Sequence, residues 1–292
     1  EPIPMPHHIP SRLTAATSSP RHGTRAMLRM AALATALTLA GCASTTVDTS
    51  PALYAYSTID ALLSGTYDGE LTMAQLATKG DIGLGTFNQL DGEMLLLGGV
   101  PYHFRADGSV TVASPADKTP LAYVMPFKPT MQFVMEDSAA APLPATLPAI
   151  EAWMDARLVN KNVFYAVELN GEFKGMATRA IAAQVRPYKP LAELVKTQVV
   201  FPRASVTGSM VGIRSPAFSK GVSVPGWHWH FISNDRTYGG HVLAAGVVSG
   251  VARVASAHRV ELQLPANDDF AKSDQTKDRT LELHSVERQQ HQ

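Results

Sequence analysis

The sequence predicts a β-rich fold of mixed α/β (α+β) type, and three observations carry that expectation. Short apolar runs bounded by Asp-Gly, Gly-Gly and Pro recur along the chain, which is how antiparallel strands and their turns are written. Only a few stretches show helical spacing, and they are short. Near the C-terminus Val260, Leu262 and Leu264 alternate with polar neighbours at the two-residue period of a strand.

From the N-terminus, residues 1–26 are rich in Pro, His, Ser and Arg, lack periodicity, and read as upstream sequence outside the fold. Arg29, the apolar run Met30 to Ala40, and then Leu39-Ala40-Gly41-Cys42 follow the layout of a secretory signal peptide. The apolar run is too short for a permanent membrane span. The small residues before Cys42 resemble a bacterial lipobox, so residues 1–41 are expected to be removed and Cys42 lipidated. An ordinary cleaved signal with an incidental cysteine is the plainer alternative. Cys42 is the only cysteine, which excludes an internal disulfide and leaves stability to the core. Residues 42–54 then form the lipidated cysteine and a small, polar tether.

Ser57 followed by Asp60 reads as a capping box for a short helix through Leu62 and Leu63, and Leu71 to Thr78 as a second helix ended by Gly80. Gly83 to Phe87 and Glu93 to Val100 read as strands joined at Asp91-Gly92. Tyr102 to Arg105 continues the meander. Pro148 suits the first turn of a helix bearing Ile150, Trp153, Met154 and Leu158. Val163 to Val167 and Met176 to Ala183 read as a hairpin turned at Asn170-Gly171. Pro187 and Pro190 precede a helix through Leu191, Leu194 and Val195, and a domain boundary is placed there: residues 55–188 as an N-terminal mixed-sheet domain, and 189–292 as a β-rich C-terminal domain with a metal-binding hairpin and tail.

With 292 residues, 45% hydrophobic and 17% charged, the chain can bury a substantial core. Its formal net charge of zero supplies no basic field for nucleic acid, so none is expected as a partner. Loss of residues 1–41 removes Glu1 and four arginines, leaving a mildly acidic domain. Membrane contact is expected only through the lipid, and a homodimer is compatible with the sequence.

The chemistry concentrates in Gly226-Trp227-His228-Trp229-His230-Phe231 and Gly239-Gly240-His241-Val242. On a strand His228 and His230 share one face while the aromatics point to a core, and the polar turn at Asn234-Asp235-Arg236 lets His241 return beside them. Alternating histidines also occur on wet strand faces, but a third at hairpin-return distance favours a metal. Three imidazoles leave open positions, as a catalytic zinc needs, yet alone they do not choose among zinc, copper, iron and manganese. The absence of cysteine ligands argues against a structural zinc. Carboxylate participation would argue against copper. Glu70, Glu93 and Glu287 are candidate acids, each by spacing alone an ordinary surface charge. His103 reads as a half-buried strand residue, His258 as a surface one, and His7, His8 and His22 lie in the leader.

Five ordered motifs then carry a resemblance: Gly83 to Glu93, Asn162 to Ala166, Lys196-Thr197-Gln198, His228 to Phe231 and Gly239 to Val242. Together they resemble the bacterial acetolactate decarboxylases over about residues 54–290. The resemblance implies two β-sheet domains with a metal site in the cleft between them, and zinc held by His228, His230 and His241. It also implies Glu93 and the tail residue Glu287 reaching that site, although Arg288 stands where the family's glycine usually follows. Arg179 matches an active-site arginine and Thr86 a substrate-pocket position. The implied reaction removes carbon dioxide from a small 2-hydroxy-3-keto acid, 2-acetolactate, through a zinc-stabilised enediolate to give acetoin. A zinc-binding periplasmic lipoprotein without enzymatic activity and a cupin-like metal oxygenase are the competing classes.

The leader yields the first test. Wild-type protein expressed in a Gram-negative host should incorporate labelled fatty acid and fractionate with the outer membrane, whereas Cys42→Ser should incorporate none. Wild type recovered wholly unlipidated would remove the anchor.

Overall fold

The computed structural model describes residues 50–137 and 142–287. The leader and signal segment at residues 1–41, Cys42, most of the tether and Arg288 lie outside the described residues. No helix among those described is long and apolar enough to cross a membrane.

A seven-stranded sheet and a five-stranded sheet make up most of the structure, with short helices at their margins. The chain begins with β1 (Ala52–Tyr56) and the short helix α1 (Ile59–Leu63). The residue that caps α1 is Thr58, whose side-chain oxygen accepts from the Ala61 amide; Ser57 is in the left-handed region at φ 66° and cannot take that role. The expected helix over Leu71 to Thr78 is divided. Leu71–Thr72 (β2) pairs with Lys118–Thr119 (β7), and Thr72 then caps α2 (Met73–Ala77) in a capping box with Gln75.

The seven-stranded sheet is assembled from β3 (Ile82–Thr86), β4 (Glu93–Leu97), β5 (Val100–Phe104), β6 (Val110–Val112) and β8 (Ala122–Met125), together with β1 and β14 (Arg259–Gln263). Its order is β14-β1-β8-β3-β4-β5-β6. Four strands of the second sheet, β10 (Phe164–Ala180), β11 (Val199–Ser215), β12 (Gly226–Ser233) and β13 (Gly239–Ala257), close on themselves, because β10 pairs with both β11 and β13 and β12 does the same. β9 (Met131–Met135) extends this sheet beside β13. Both sheets draw strands from either side of Pro187 to Pro190, since β10 precedes that segment and β14 follows it.

Asn170-Gly171 is not a hairpin turn. Both residues lie within the continuous strand β10, paired to Ser209 and Gly208 on one side and to Val251 and Gly250 on the other. The glycine serves close approach: a Cβ at position 171 would sit 2.1 Å from the Ser249 carbonyl oxygen. Irregular pairing between Glu172 and Thr178 then resets the register with β13 before the strand reaches Arg179.

Alternation along these strands sorts side chains onto two faces. Tyr165, Val167, Leu169, Trp227, Trp229, Phe231, Ala252 and Val254 pack into one core with Ile150 and Met154 of α3 (Leu147–Asp155) and with Leu158, which follows the helix rather than belonging to it. Trp227 and Trp229 stack with centroids 4.6 Å apart, as expected of residues two apart on one face. Asp155 ties α3 to the sheet by accepting from Arg214 Nε at 2.7 Å and Trp227 Nε1 at 3.2 Å. The opposite face carries Ala166, Val211, Ile213, Ile232 and Ala255 into a core shared with Leu84, Leu95 and Phe104 of the seven-stranded sheet. The C-terminal segment adds α4 (Leu191–Leu194), α5 (Asp268–Lys272) and α6 (Thr280–Glu287), and α6 buries Leu283 and Val286 in the same shared core.

Because Gly171 is enclosed by strands on both sides, Gly171→Ala is expected to destabilise the fold by about 1–3 kcal/mol through overpacking. Denaturant unfolding would read this as a lower midpoint at unchanged slope. An unshifted midpoint would show that the strands part there.

Candidate metal centre

Two registers assemble the centre. His230 on β12 lies directly across from His241 on β13, and His241 lies directly across from Arg179 on β10. Direct cross-strand partners project to one side, so these three residues form one row, with His228 two residues along β12 on the same face. The three imidazole rings have centroids 4.9–5.5 Å apart, and one ligand nitrogen from each lies within 4.8 Å of the others. His228 Nε2 is 3.1 Å from His241 Nδ1.

Burial holds all three rings neutral. It pushes the His228 pKa down to about 3, with the nearby Arg179 guanidinium adding to the effect, and drives His230 and His241 well below the ordinary histidine value. For His230 the tautomer follows from its partner: Nδ1 donates to the Met94 carbonyl at 2.8 Å, which leaves the Nε2 lone pair free. That nitrogen is buried and has no hydrogen-bond partner, as is also true of His228 Nδ1. Neutral, converging imidazoles with an orphaned buried nitrogen, one of them oriented by a backbone carbonyl, fit a divalent metal of borderline softness.

The carboxylates arrive from opposite ends of the chain. Glu93 opens β4 and brings Oε2 to 3.5 Å from His230 Nε2. Glu287, the last residue of α6, brings Oε2 to 3.9 Å from His228 Nε2 and 3.8 Å from His241 Nε2. Desolvation raises the Glu93 pKa to about 8 in spite of the opposing pull of Arg179, and Glu287 adds to the rise. Glu70 is not brought here; its carboxylate accepts from Tyr56 Oη at 2.7 Å. His258 is exposed, as its sequence setting suggests.

Arg179 is only 3% exposed. Its Nη1 donates to Gln198 Oε1 at 3.0 Å and to the Val286 carbonyl at 2.5 Å, while Nε is buried without a partner. Thr86 is buried directly across from Glu93, and its hydroxyl donates to the Gly92 carbonyl at 2.6 Å rather than turning to the cavity. That cavity, about 510 Å³, opens over His228, His241 and Glu287 and is walled by Leu147, Trp227, Leu243 and Leu283. Sequence reasoning did not assign roles to Gln198, the Met94 carbonyl, or Leu147 and Leu283. Gln198 stood within a recognised motif, which was a usable signal; a backbone carbonyl leaves none.

The alpha-acetolactate decarboxylase family profile matches residues 53–277. The chain is 40% identical over 239 residues to an alpha-acetolactate decarboxylase of Methanosarcina mazei, covering 82% of this chain and 81% of the relative. It is 37% identical over 235 residues to one of Brevibacillus brevis, covering 80% of each. The crystal structure of alpha-acetolactate decarboxylase from Bacillus subtilis strain 168 superposes with a TM-score of 0.76 at 32% identity, over 80% of this chain and 98% of the other.

The electrostatics predict opposed pH effects on stability in metal-free protein. Between about pH 3 and the ordinary histidine pKa near 6.5, the unfolded chain binds protons that the buried His228 does not, so stability rises with pH. From about 4.5 to about 8, native Glu93 keeps a proton the unfolded chain has lost, so its contribution falls with pH. Glu93→Gln should abolish only the second trend in chemical denaturation across that range. An identical fall in the variant would show that Glu93 is not its source.

Proposed function

The chain belongs to the alpha-acetolactate decarboxylase family, and from that premise we propose that it converts 2-acetolactate to acetoin and carbon dioxide at the centre built by His228, His230 and His241. The observation that carries this reading is the convergence of three neutral imidazoles, two glutamates and a buried arginine, with His228, His241 and Glu287 of that cluster lining one cavity. Zinc held by the three imidazoles would supply a Lewis acid for the ketone and hydroxyl oxygens, where the charge of the enediolate grows.

The protein's own groups have distinct tasks. Arg179, already fixed by Gln198 and the Val286 carbonyl, presents its guanidinium to the substrate carboxylate, an anion that compensates the cost of burying it. As the bond between the carboxyl carbon and C2 breaks, its electron pair moves toward the neighbouring ketone. Carbon dioxide leaves without a proton. Glu93, whose carboxyl reaches to 3.5 Å from His230 Nε2, in its protonated form gives a proton to the carbon that lost the carboxylate, and Glu287, near His228 and His241, is the alternative donor. The apolar walls Leu147, Leu243 and Leu283 exclude water and receive the alkyl groups.

The leader pattern around Cys42 supports the further reading that this chemistry takes place outside the cytoplasm, on a lipid-anchored enzyme.

Metal content and carbon dioxide release from acetolactate test the proposal together. Chelation should abolish release and zinc restore it, and His230→Ala should lose metal and activity at once. Arg179→Ala should keep the metal and lose about two to four orders of magnitude in kcat/KM. Glu93→Gln should keep the metal while losing turnover or the single product enantiomer. Full activity in metal-stripped protein would end the zinc reading; wild-type rate and stereochemistry in both the Arg179 and Glu93 variants would end the catalytic one.

A further inference from the structure

The turn that delivers Glu93 is conformationally expensive. Gln89 and Leu90 occupy the left-handed region at φ 65° and 55°, an unusual setting for residues with side chains, and Gly92 follows at 71°. Such a turn keeps one geometry only if its surroundings impose it. Its carbonyls are accordingly all held. The Gln89 carbonyl accepts from the Gln184 amide at 2.7 Å, and the Leu90 carbonyl from the Gly92 amide at 2.9 Å. Side chains take the last two: Thr86 holds the Gly92 carbonyl, and His103 Nε2 lies 2.5 Å from that of Asp91.

His103 is more deeply placed than a half-buried strand residue, at 2% exposed on β5. A carbonyl can only accept, so the proton is on Nε2, and Nδ1 is the nitrogen left buried without a partner. The ring stacks on Phe87 with centroids 3.8 Å apart, which fixes its plane. Its backbone lies directly across from Met94, whose carbonyl orients His230. Asp91 is additionally approached through Oδ2 by His103 Nε2 at 3.5 Å and Arg105 Nε at 3.4 Å.

We infer that His103 is a positioning residue: its N–H on the Asp91 carbonyl, set by the stack on Phe87, locks the strained turn that aims the Glu93 carboxyl at the imidazole cluster. This rests on the reading of Glu93 as proton donor. The ring does not touch the cavity and takes no part in the chemistry itself. Loosening the turn displaces Glu93 while leaving the three metal-binding imidazoles on their own strands.

Three substitutions separate the functions of the ring, with Glu93→Gln measured in parallel. His103→Phe keeps the stack and loses the donor. His103→Asn is smaller and places its amide where Nδ1 was, out of reach of the carbonyl. His103→Gln places an amide N–H near the position of Nε2. In zinc-loaded full-length enzyme, His103→Phe and His103→Asn should lower kcat about 10- to 100-fold, the scale of a misplacement near 1 Å. KM and bound metal should stay near wild type, and the product should lose enantiomeric purity. His103→Gln should recover to within a few-fold. A Phe variant with wild-type kcat and enantiomeric purity beside an impaired Glu93→Gln overturns the inference alone. Glu93→Gln at wild-type rate and purity overturns the reading of Glu93 and this inference with it. Should His103→Phe fail to fold, His103→Asn decides by the same measures, and a loss that follows melting temperature or metal content with product purity intact assigns His103 a purely structural role.

Discussion

The pairing of β12 with β13, which sets His230 across from His241, is the constraint on which the centre depends. A strand's side chains alternate with a period of two, so a slip of one residue would turn His241 toward the core that holds Trp227 and Trp229. That core resists the slip. The stacked tryptophans and Phe231 occupy one face of β12 so completely that only the other face remains for the imidazoles. The same row continues to Arg179, which the irregular pairing of β10 with β13 brings into line.

Burial accounts for the chemistry of this row. Removing three imidazoles from water makes them neutral, which is the state in which they can donate lone pairs. The same desolvation raises Glu93 to about 8 and leaves Arg179 needing acceptors. Gln198 and the Val286 carbonyl supply two, and the unpartnered Nε shows that the arginine is not fully satisfied. Helix α6 thereby contributes twice, with the Val286 carbonyl on Arg179 and the Glu287 carboxylate near His228 and His241.

The two sheets contribute different parts. β12 and β13 hold the imidazoles, whereas the seven-stranded sheet brings Glu93 and the Met94 carbonyl. Cross-sheet packing through Leu95, Val211 and Ile232 keeps those parts in register, so residues far from the cavity participate in setting the centre's geometry.

What the sequence determined by itself were the features governed by local periodicity. His228 and His230 share a face because a strand repeats every two residues, the aromatics between them face a core for the same reason, and Ile150, Trp153 and Met154 mark a helix, although it ends at Asp155, before Leu158. The third histidine was legible because a short polar turn returns the chain. Tertiary structure decided what depends on distant neighbours. Asn170-Gly171 has the composition of a turn, but strands on both sides make it the interior of β10, where the missing side chain admits a backbone rather than a reversal. Thr86 fits a pocket position by motif, yet its hydroxyl meets the Gly92 carbonyl because β3 runs beside β4. The Met94 carbonyl has no side-chain identity to read, and nothing local distinguishes Glu287 from Glu70. One glutamate lies at the end of a helix packed against the imidazoles and the other accepts from Tyr56, a difference made by packing between segments far apart in the chain.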